Sequence, residues 1–449
     1  MGFPLPKKYR PQPASRAIVL GGGGSKGAYQ IGVWQALEEL GMGFQVITGT
    51  SGGALNGALM AQGDLEKAYD LWWNLNNTQV LQGIPDVEDS PDDRMAVYRA
   101  YIRQAVQNRG ADTSPLEGQL RRLLDEDRLR ASGVDFGVVT VDMTTLKPAQ
   151  LFLEDMPPGT VEDYLMASAS FFPAMRPKAI GESLFVDGGY YDNIPVDLAL
   201  RAKTPVDEVL AVDVDGIGFN RRVHTDIPVA TLRSYWDLGS ILVFENAQIR
   251  RNIRLGYLDG LKQYRRLEGR AYAFRPGAMA LMEEEYLEEM TRSVGVALEG
   301  LSGKSRLKID KLMADRLTGS VARRRRVATP GELLAASAET AAELMDLDPT
   351  EIYTLDSFED GVMAALEKQK ERWAGRTLSL DDLRGLALPE WTQGMRAKGR
   401  ELLLQTVLDN LRQHFSGGDT AIPAEMIALL APREFLASLY LLLLERRAL

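Results

Sequence analysis

The sequence predicts an α/β domain with a mostly parallel sheet covered by helices, followed by an all-helical region. Two observations carry this prediction. Up to about residue 75, short apolar stretches alternate with glycine-rich turns and helical patterns, as in parallel strands joined by helices. In the last third of the chain, apolar residues recur at helical spacing. We therefore expect one domain over residues 14–300, with its main motifs in 14–215, and a helical appendage over 305–449.

The elements of the first domain follow from local pattern. Short runs of apolar and β-branched residues predict strands at 16–20, 44–50, 134–141, 184–187, 209–214 and 271–274. Helical spacing predicts helices at 25–40, 54–59 and 279–298. The polar segment 81–115 is either surface structure near the site, such as part of a lid, or a solvated loop.

The appendage carries its own start signals. Thr329-Pro330-Gly331-Glu332 places an N-cap residue, a proline and a glutamate where a helix start favours them. A second start is predicted at 356–359, and apolar spacing predicts a further amphipathic helix over 402–411. The apolar run 435–444 is too short to span a bilayer and favours a buried terminal helix over a membrane-surface helix. The four arginines at 323–326 favour a solvated or ion-paired stretch over a phospholipid or partner contact.

Composition excludes several function classes. The chain has 62 acidic and 52 basic residues and a formal charge of −10, which argues against nonspecific nucleic-acid binding. It has no cysteine and two histidines, so neither a thiolate metal site nor a multi-histidine site is expected. The N-terminal residues lack the apolar core of a secretory signal. We expect a cytoplasmic protein, with peripheral contact to a membrane left open.

Gly49-Thr50-Ser51-Gly52-Gly53 is the most informative motif. It reads Gly-x-Ser-x-Gly at the junction of a predicted strand and a predicted helix. A serine on such a turn exposes its hydroxyl beside the helix N-terminus. The motif indicates a nucleophilic serine, although a glycine-rich turn without chemistry has the same pattern.

A second glycine-rich segment, Gly21-Gly22-Gly23-Gly24-Ser25-Lys26-Gly27, joins the first strand to the first helix. A dinucleotide site would need an acidic residue at the end of the next strand, where none occurs. A phosphate-binding P-loop would need Gly-Lys followed by Ser or Thr, whereas Lys26 here precedes Gly27. The remaining interpretation is an oxyanion hole, in which backbone N–H groups converge beside the serine.

A serine nucleophile needs a base, and Asp187 in Asp187-Gly188-Gly189 is the candidate. The glycines after it allow close approach to another loop, although an Asp-Gly turn alone is common. His224 follows Asp187 in the order of an α/β-hydrolase triad, but it lies in a polar stretch. His414 lies deep in the appendage. A Ser–Asp dyad is therefore preferred over a triad.

These motifs, in this order, resemble the patatin-like phospholipase family. The resemblance covers about residues 14–215 and is supported by the segments 167–173 and 192–195. Residues 235–275 are similar, more loosely, to bacterial members.

The resemblance implies a three-layer α/β/α sandwich and a metal-independent hydrolase of lipid acyl esters that forms an acyl-enzyme. It implies that Ser51 is the nucleophile and Asp187 the base, and that no cofactor is needed. The implied oxyanion donors are Gly22, Gly23, Gly24 and Gly52. The supporting motif residues are Gly21, Lys26, Gly27, Gly49, Gly53, Gly188 and Gly189.

The expected partner is a lipid or phospholipid substrate, and no nucleic-acid partner is expected. Transient contact with a membrane surface and a homo-oligomer are left open. Two other functions stay open: a general carboxylesterase or thioesterase, and a catalytically silent scaffold that works through its appendage.

Overall fold

The computed structural model describes residues 15–84, 91–299, 329–373 and 393–447. They fall into two compact units, one ending at Tyr264 and one beginning at Arg265. The division precedes the boundary that the sequence predicts between residues 300 and 305, because the helix at 278–297 belongs to the second unit.

The described part of the first unit is built on an eight-stranded sheet. Its strands are β1 (Arg16–Leu20), β2 (Val46–Thr50), β3 (Asp135–Asp142), β4 (Lys147–Phe152), β5 (Lys178–Ile180), β6 (Ser183–Asp187), β7 (Glu208–Asp213) and β8 (Val229–Arg233). Neighbours follow the order β5-β6-β3-β2-β1-β7-β8, and β4 also pairs with β3. The run from β3 to β8 is parallel, whereas β4, β5 and β6 pair in antiparallel fashion.

The helices of this unit lie on both faces of the sheet. They are α1 (Ala28–Glu39), α2 (Gly52–Ala61), α3 (Leu65–Asn74), α4 (Pro91–Gln107), α5 (Ser114–Leu123), α6 (Glu126–Ala131), α7 (Val161–Ser168), α8 (Val196–Leu200) and α9 (Asn246–Gln263). Successive side chains of a strand point to opposite faces. Ile18 and Leu20 of β1 accordingly pack with α1, α2, α7 and α9, while Ala17 and Val19 pack with α8. This arrangement confirms the predicted α/β/α sandwich with a mostly parallel sheet.

Strand β3 brings two distant parts of the chain together. Val139 of β3 pairs with Thr50 at the end of β2, and the next residue, Thr140, pairs with Asp187 at the end of β6. Both β3 residues also pair with β4, which occupies the other edge of β3. Strands β2 and β6 therefore approach the same edge of β3 from opposite directions and meet end to end.

Within the described residues of this unit, the sequence pattern missed three strands and the seven helices α3 to α9. Strands β4, β5 and β8 are mostly half-buried or exposed, so they lack the continuous apolar run by which the buried strands were predicted. In the described residues of the polar segment 81–115, most of the chain is helical instead of forming a solvated loop. These residues contain the whole of α4, whose Ala105 is buried, and the start of α5.

The second unit is helical except for one short ladder. Its helices in the described residues are α10 (Ala278–Ala297), α11 (Pro330–Leu344), α12 (Leu355–Trp373), α13 (Gln393–Phe415), α14 (Ala424–Leu430) and α15 (Pro432–Arg447). Strands β9 (Ala273–Phe274) and β10 (Ile352–Tyr353) pair in parallel. The strand predicted at 271–274 therefore exists, but it does not belong to the large sheet, and the appendage is not entirely helical.

The predicted helix start at Thr329 is confirmed. Its hydroxyl accepts the N–H of Glu332 at 3.2 Å, and the Glu332 carboxylate accepts the Thr329 N–H at 2.8 Å. The run 435–444 is a buried part of α15, as predicted. The arginines at 323–326 lie outside the described residues. Among the helices that could be searched, none is both long and apolar enough to cross a membrane.

Candidate active site

Ser51 occupies the turn between β2 and α2, as the Gly-x-Ser-x-Gly pattern predicts. It is the residue just before α2, and its backbone adopts φ 55° and ψ −129°. A positive φ is uncommon for a residue with a Cβ and is held only where the surroundings enforce it. Gly49 is the second-last residue of β2, and Gly52 and Gly53 are the first two residues of α2. Ser51 is half-buried and lines a pocket.

Asp187 is brought to Ser51 by the end-to-end meeting of β2 and β6. Its carboxylate is 3% exposed and accepts the Gly189 N–H at 2.8 Å. Burial raises the pKa of the Asp187 carboxyl to about 6, although interactions with the Ser51 side chain and the Gly189 N–H oppose the rise. At neutral pH the carboxylate is therefore ionised but far more basic than an exposed aspartate.

The segment 21–27 wraps beside Ser51, and two of its glycines are needed for steric reasons. A Cβ on Gly22 would lie 2.6 Å from Asn193 Oδ1 and 3.0 Å from Ser51 Cβ. Gly24 has φ +54°, and a Cβ there would lie 2.0 Å from the Ile241 carbonyl oxygen. The loop thus comes as close to the serine as a backbone without side chains allows.

The N–H groups of this loop do not all face the pocket. The Gly22 N–H donates to the Asn193 carbonyl at 3.1 Å, so Gly22 holds the loop in place. Within the described residues, the N–H groups of Gly23, Gly24 and Gly52 have no hydrogen-bond acceptor in the protein. All three residues line the same pocket as Ser51.

Lys26, Gly188 and the histidines have other positions. The Lys26 ammonium donates to the Asp215 carbonyl at 2.9 Å, which ties the glycine loop to the end of β7. Gly188 packs so closely that a Cβ would lie 2.1 Å from the Val139 carbonyl oxygen. His224 is exposed and His414 lies in α13, and neither is among the residues that line the pocket.

Ser168 is a site residue that the sequence analysis did not single out. Its hydroxyl oxygen accepts the Ser51 N–H at 2.9 Å and donates to the Val139 carbonyl at 2.6 Å. Two residues later, the Ser170 carbonyl accepts the Asp187 N–H at 2.9 Å. The C-terminal end of α7 therefore positions the backbone of both Ser51 and Asp187.

A buried polar network supports the glycine loop from the other side. The Gln30 amide donates to the Gly21 carbonyl at 2.7 Å, and the Asn56 amide donates to the Gly27 carbonyl at 3.0 Å and to Gln30 Oε1 at 2.8 Å. The Trp72 indole donates to Asn56 Oδ1 at 2.9 Å. The loop is thereby fixed to helices α1, α2 and α3 by satisfied hydrogen bonds, which are costly to break when buried.

The residues after β6 support the site as well. Asn193 donates its side-chain N–H to the Gly22 carbonyl at 3.1 Å, and the Thr50 hydroxyl donates to the Asp192 carbonyl at 2.8 Å. Burial raises the pKa of the Asp192 carboxyl to about 6, and its Oδ2 has no hydrogen-bond partner in the described residues. The segment 192–195 therefore buttresses both the glycine loop and the end of β2.

The pocket over these residues is almost entirely apolar. It encloses about 910 Å³ of empty space, its open mouth included. Ser51, Asp187 and the glycine loop form its polar end. Its walls are mainly aliphatic and aromatic and include Leu55, Leu59, Leu71, Trp72, Leu75, Val80, Leu116, Leu120, Leu123, Phe171 and Phe244. Such a pocket suits a ligand with a long apolar part and one polar group at its end.

Residues 18–200 match the family model described as patatin-like phospholipase. Over these residues the chain is similar to a patatin-like phospholipase domain. The matched segment includes the glycine loop, Ser51 and Asp187, and also Ser168 and Asn193. The loop after β7 and the whole second unit lie outside it.

Curated relatives carry the same family name. Human patatin-like phospholipase domain-containing protein 6 is 25% identical over 391 residues, covering 82% of this chain and 26% of the relative. Lysophospholipase NTE1 of Saccharomyces cerevisiae is 29% identical over 199 residues, covering 44% and 10%. The chain thus spans about a quarter of the length of the first of these relatives and less of the second.

Among solved structures, the crystal structure of VipD from Legionella pneumophila has a TM-score of 0.36 at 14% identity. The match covers 95% of this chain and 92% of VipD. A score this low carries no argument about fold or function.

Proposed function

We propose that this protein is a serine lipid acyl hydrolase of the phospholipase A or lysophospholipase type. The observation that carries the proposal is the pocket, in which an apolar wall ends at Ser51, Asp187 and a row of N–H groups without internal acceptors. The names of the relatives, which include phospholipase and lysophospholipase, support the same substrate class. A lipid in the cytoplasm or at a membrane surface is the expected partner.

In the proposed reaction, the Ser51 hydroxyl attacks the ester carbonyl of the lipid and its proton passes to the Asp187 carboxylate. The negative charge that develops on the carbonyl oxygen is stabilised by the N–H groups of Gly23, Gly24 and Gly52. Gly22 is left out of this set because its N–H is already engaged by Asn193. The alcohol leaves with the proton from Asp187, and the acyl group stays on Ser51 as an ester.

Water then completes the cycle. Asp187 takes a proton from a water molecule while the water oxygen attacks the acyl-enzyme carbonyl. The bond to the Ser51 oxygen then breaks, Asp187 returns the proton to that oxygen, and the fatty acid leaves. A base whose pKa lies near 6 fits this role, because it is ionised at neutral pH and basic enough to accept a proton in the transition state. All groups that the reaction needs are supplied by this chain, so the proposal requires no cofactor.

A fluorophosphonate probe tests the nucleophile directly. We expect it to label the folded wild-type protein at Ser51, with loss of labelling in Ser51→Ala and full labelling in Ser170→Ala, a buried serine nearby. Failure to label folded wild-type protein would favour the catalytically silent scaffold.

The dyad and the substrate class need separate tests. Asp187→Asn should abolish hydrolysis and His224→Ala should keep most of it; the opposite result would exclude the dyad. A series of esters with short to long acyl chains separates a lipid hydrolase from a general carboxylesterase or thioesterase. Because the pocket wall is apolar over its length, kcat/KM should rise with chain length until the pocket is filled.

A further inference from the structure

The loop that follows β7 lies at the mouth of the pocket and is held rigidly. The Phe219 N–H donates to the Gly189 carbonyl at 2.9 Å, and the Phe219 carbonyl accepts the Asn193 N–H at 2.7 Å. A Cβ on Gly216 would lie 1.9 Å from the Gly22 carbonyl oxygen. The backbone of this loop is therefore pressed against the two loops that carry the proposed catalytic groups.

The side chains of the same loop point outward. Ile217 is 62% exposed although it lines the pocket, and Phe219 is 68% exposed. Tyr190 is 40% exposed, and its ring stacks at 5.8 Å on Phe171, another pocket residue. Large apolar side chains held in water by a fixed backbone mark a contact surface.

Two arginine side chains lie beside these residues. Arg221 and Arg222 lie two and three residues after Phe219 and are exposed. The guanidinium of Arg221 lies 4.5 Å from the centre of the Tyr191 ring. Asp215 of the same loop pairs with Arg233 at 3.5 Å, and Arg233 also pairs with Asp213. We define the entrance patch as Tyr190, Ile217, Phe219, Arg221 and Arg222.

We propose that the entrance patch docks this protein onto the surface of a bilayer that contains anionic phospholipid. Apolar side chains that enter the acyl boundary, next to arginines that meet the headgroups, form the usual chemistry of an interfacial contact. Ile217 belongs to both the patch and the pocket lining. The acyl chain of a lipid in the docked bilayer can therefore enter the pocket without exposure to water. This last step rests on the proposed function, whereas docking itself does not.

Vesicle flotation with the Ser51→Ala protein measures docking without turnover. Vesicles of phosphatidylcholine alone are compared with vesicles of phosphatidylcholine and phosphatidylglycerol in roughly equal amounts. Phe219→Ser should weaken partitioning to both kinds of vesicle by about tenfold, since one aromatic side chain no longer leaves water. Arg222→Glu should weaken binding by about fivefold or more, and only to the anionic vesicles at low salt.

Val229→Ser is the matched control. Val229 is also 40% exposed. It is the first residue of β8, whereas Ser51 follows the last residue of β2, so the two lie at opposite ends of the parallel strands. Its substitution should leave vesicle binding unchanged. Equal binding of Phe219→Ser and wild type would overturn the proposal. Absence of vesicle binding by the wild type would also overturn the proposal. If the wild type then self-associates through Phe219 in sedimentation velocity, the patch is a protein contact.

Docking and catalysis can fail independently in this design. In the background with Ser51 intact, Phe219→Ser should hydrolyse a short, water-soluble ester at the wild-type rate and lose activity on vesicles. A wild type that docks but hydrolyses neither substrate would refute the proposed function and leave the docking surface standing.

Discussion

Replacing Ser168 by alanine tests whether the backbone of Ser51, the proposed nucleophile, is positioned by a side chain far away in sequence. The hydroxyl accepts the Ser51 N–H at 2.9 Å, and Ser168 is fully buried. In Ser168→Ala this N–H has lost its acceptor, which costs about 1–3 kcal/mol for a buried group. Ser51 also holds a positive φ of 55°, a conformation that costs about 1–3 kcal/mol and persists only when neighbours impose it.

The unpaired Ser51 N–H and the strained φ of Ser51 have similar free-energy costs. In Ser168→Ala the turn can relieve both by rotating away from its present geometry. We expect kcat to fall by about 10- to 100-fold, because displacement of a reacting group by about 1 Å has an effect of that order. KM should change much less, since the pocket wall is untouched. The free energy of unfolding should fall by about 1–3 kcal/mol in urea denaturation.

Ser170→Ala is the control for this experiment. Ser170 is also buried at the end of α7, but its hydroxyl donates to the Met166 carbonyl four residues earlier, so its loss leaves no N–H unpaired. Ser170→Ala should keep kcat within about twofold of the wild type. If Ser168→Ala is as active as Ser170→Ala, the positioning role is refuted.

Four further outcomes follow from the structure. The kcat/KM of the wild type should rise through pH 6 and level off above it, because Asp187 must be ionised to act as a base; Asp192→Asn shows whether the second carboxyl of similar pKa contributes. Burial raises the pKa of Asp187 in the folded protein, so its ionisation destabilises the native state as pH rises toward and through about 6. The inactive variant Asp187→Asn should therefore be more stable than the wild type at pH 8, by at most about 3 kcal/mol. Below pH 4 the two proteins should be equally stable in thermal melts. Gly24→Ala should lose most activity or fail to fold, because its Cβ would lie 2.0 Å from the Ile241 carbonyl oxygen, and a fully active Gly24→Ala would contradict the loop geometry. Phe358→Ala should destabilise the second unit by about 3–5 kcal/mol in a calorimetric scan, because this fully buried ring packs among three other aromatic rings; an unchanged scan would contradict that packing.

Features that depend on neighbouring residues in the sequence could be predicted. The turn at Ser51 follows from an apolar β-branched run that ends in glycine and is followed by small residues. The capping box at Thr329 needs only four consecutive residues. The buried helix α15 follows from one long apolar run. In each case the physical cause lies within one short stretch of consecutive residues.

Features that depend on contacts across the chain could not be predicted. A serine at a helix end has no local signal that distinguishes Ser168 from Ser170, because the difference lies in which distant N–H each hydroxyl meets. The same holds for Gly22, whose N–H is taken by Asn193 and not left for a substrate. The roles proposed for Ser51 and Asp187 remain predictions until the substitutions are measured.

The meeting of β2 and β6 on one edge of β3 has a consequence for how this domain tolerates change in length. Thr50 and Asp187 pair with consecutive residues of β3, so the spacing of the proposed nucleophile and base is set by a single strand step. Insertions in the long stretch of chain between Ser51 and Asp187 leave that spacing intact if they fall in loops. Deleting one residue within β3 would instead shift its pairing register and turn side chains to the wrong face. Homologous domains can therefore differ widely in loop length while this one strand keeps its length.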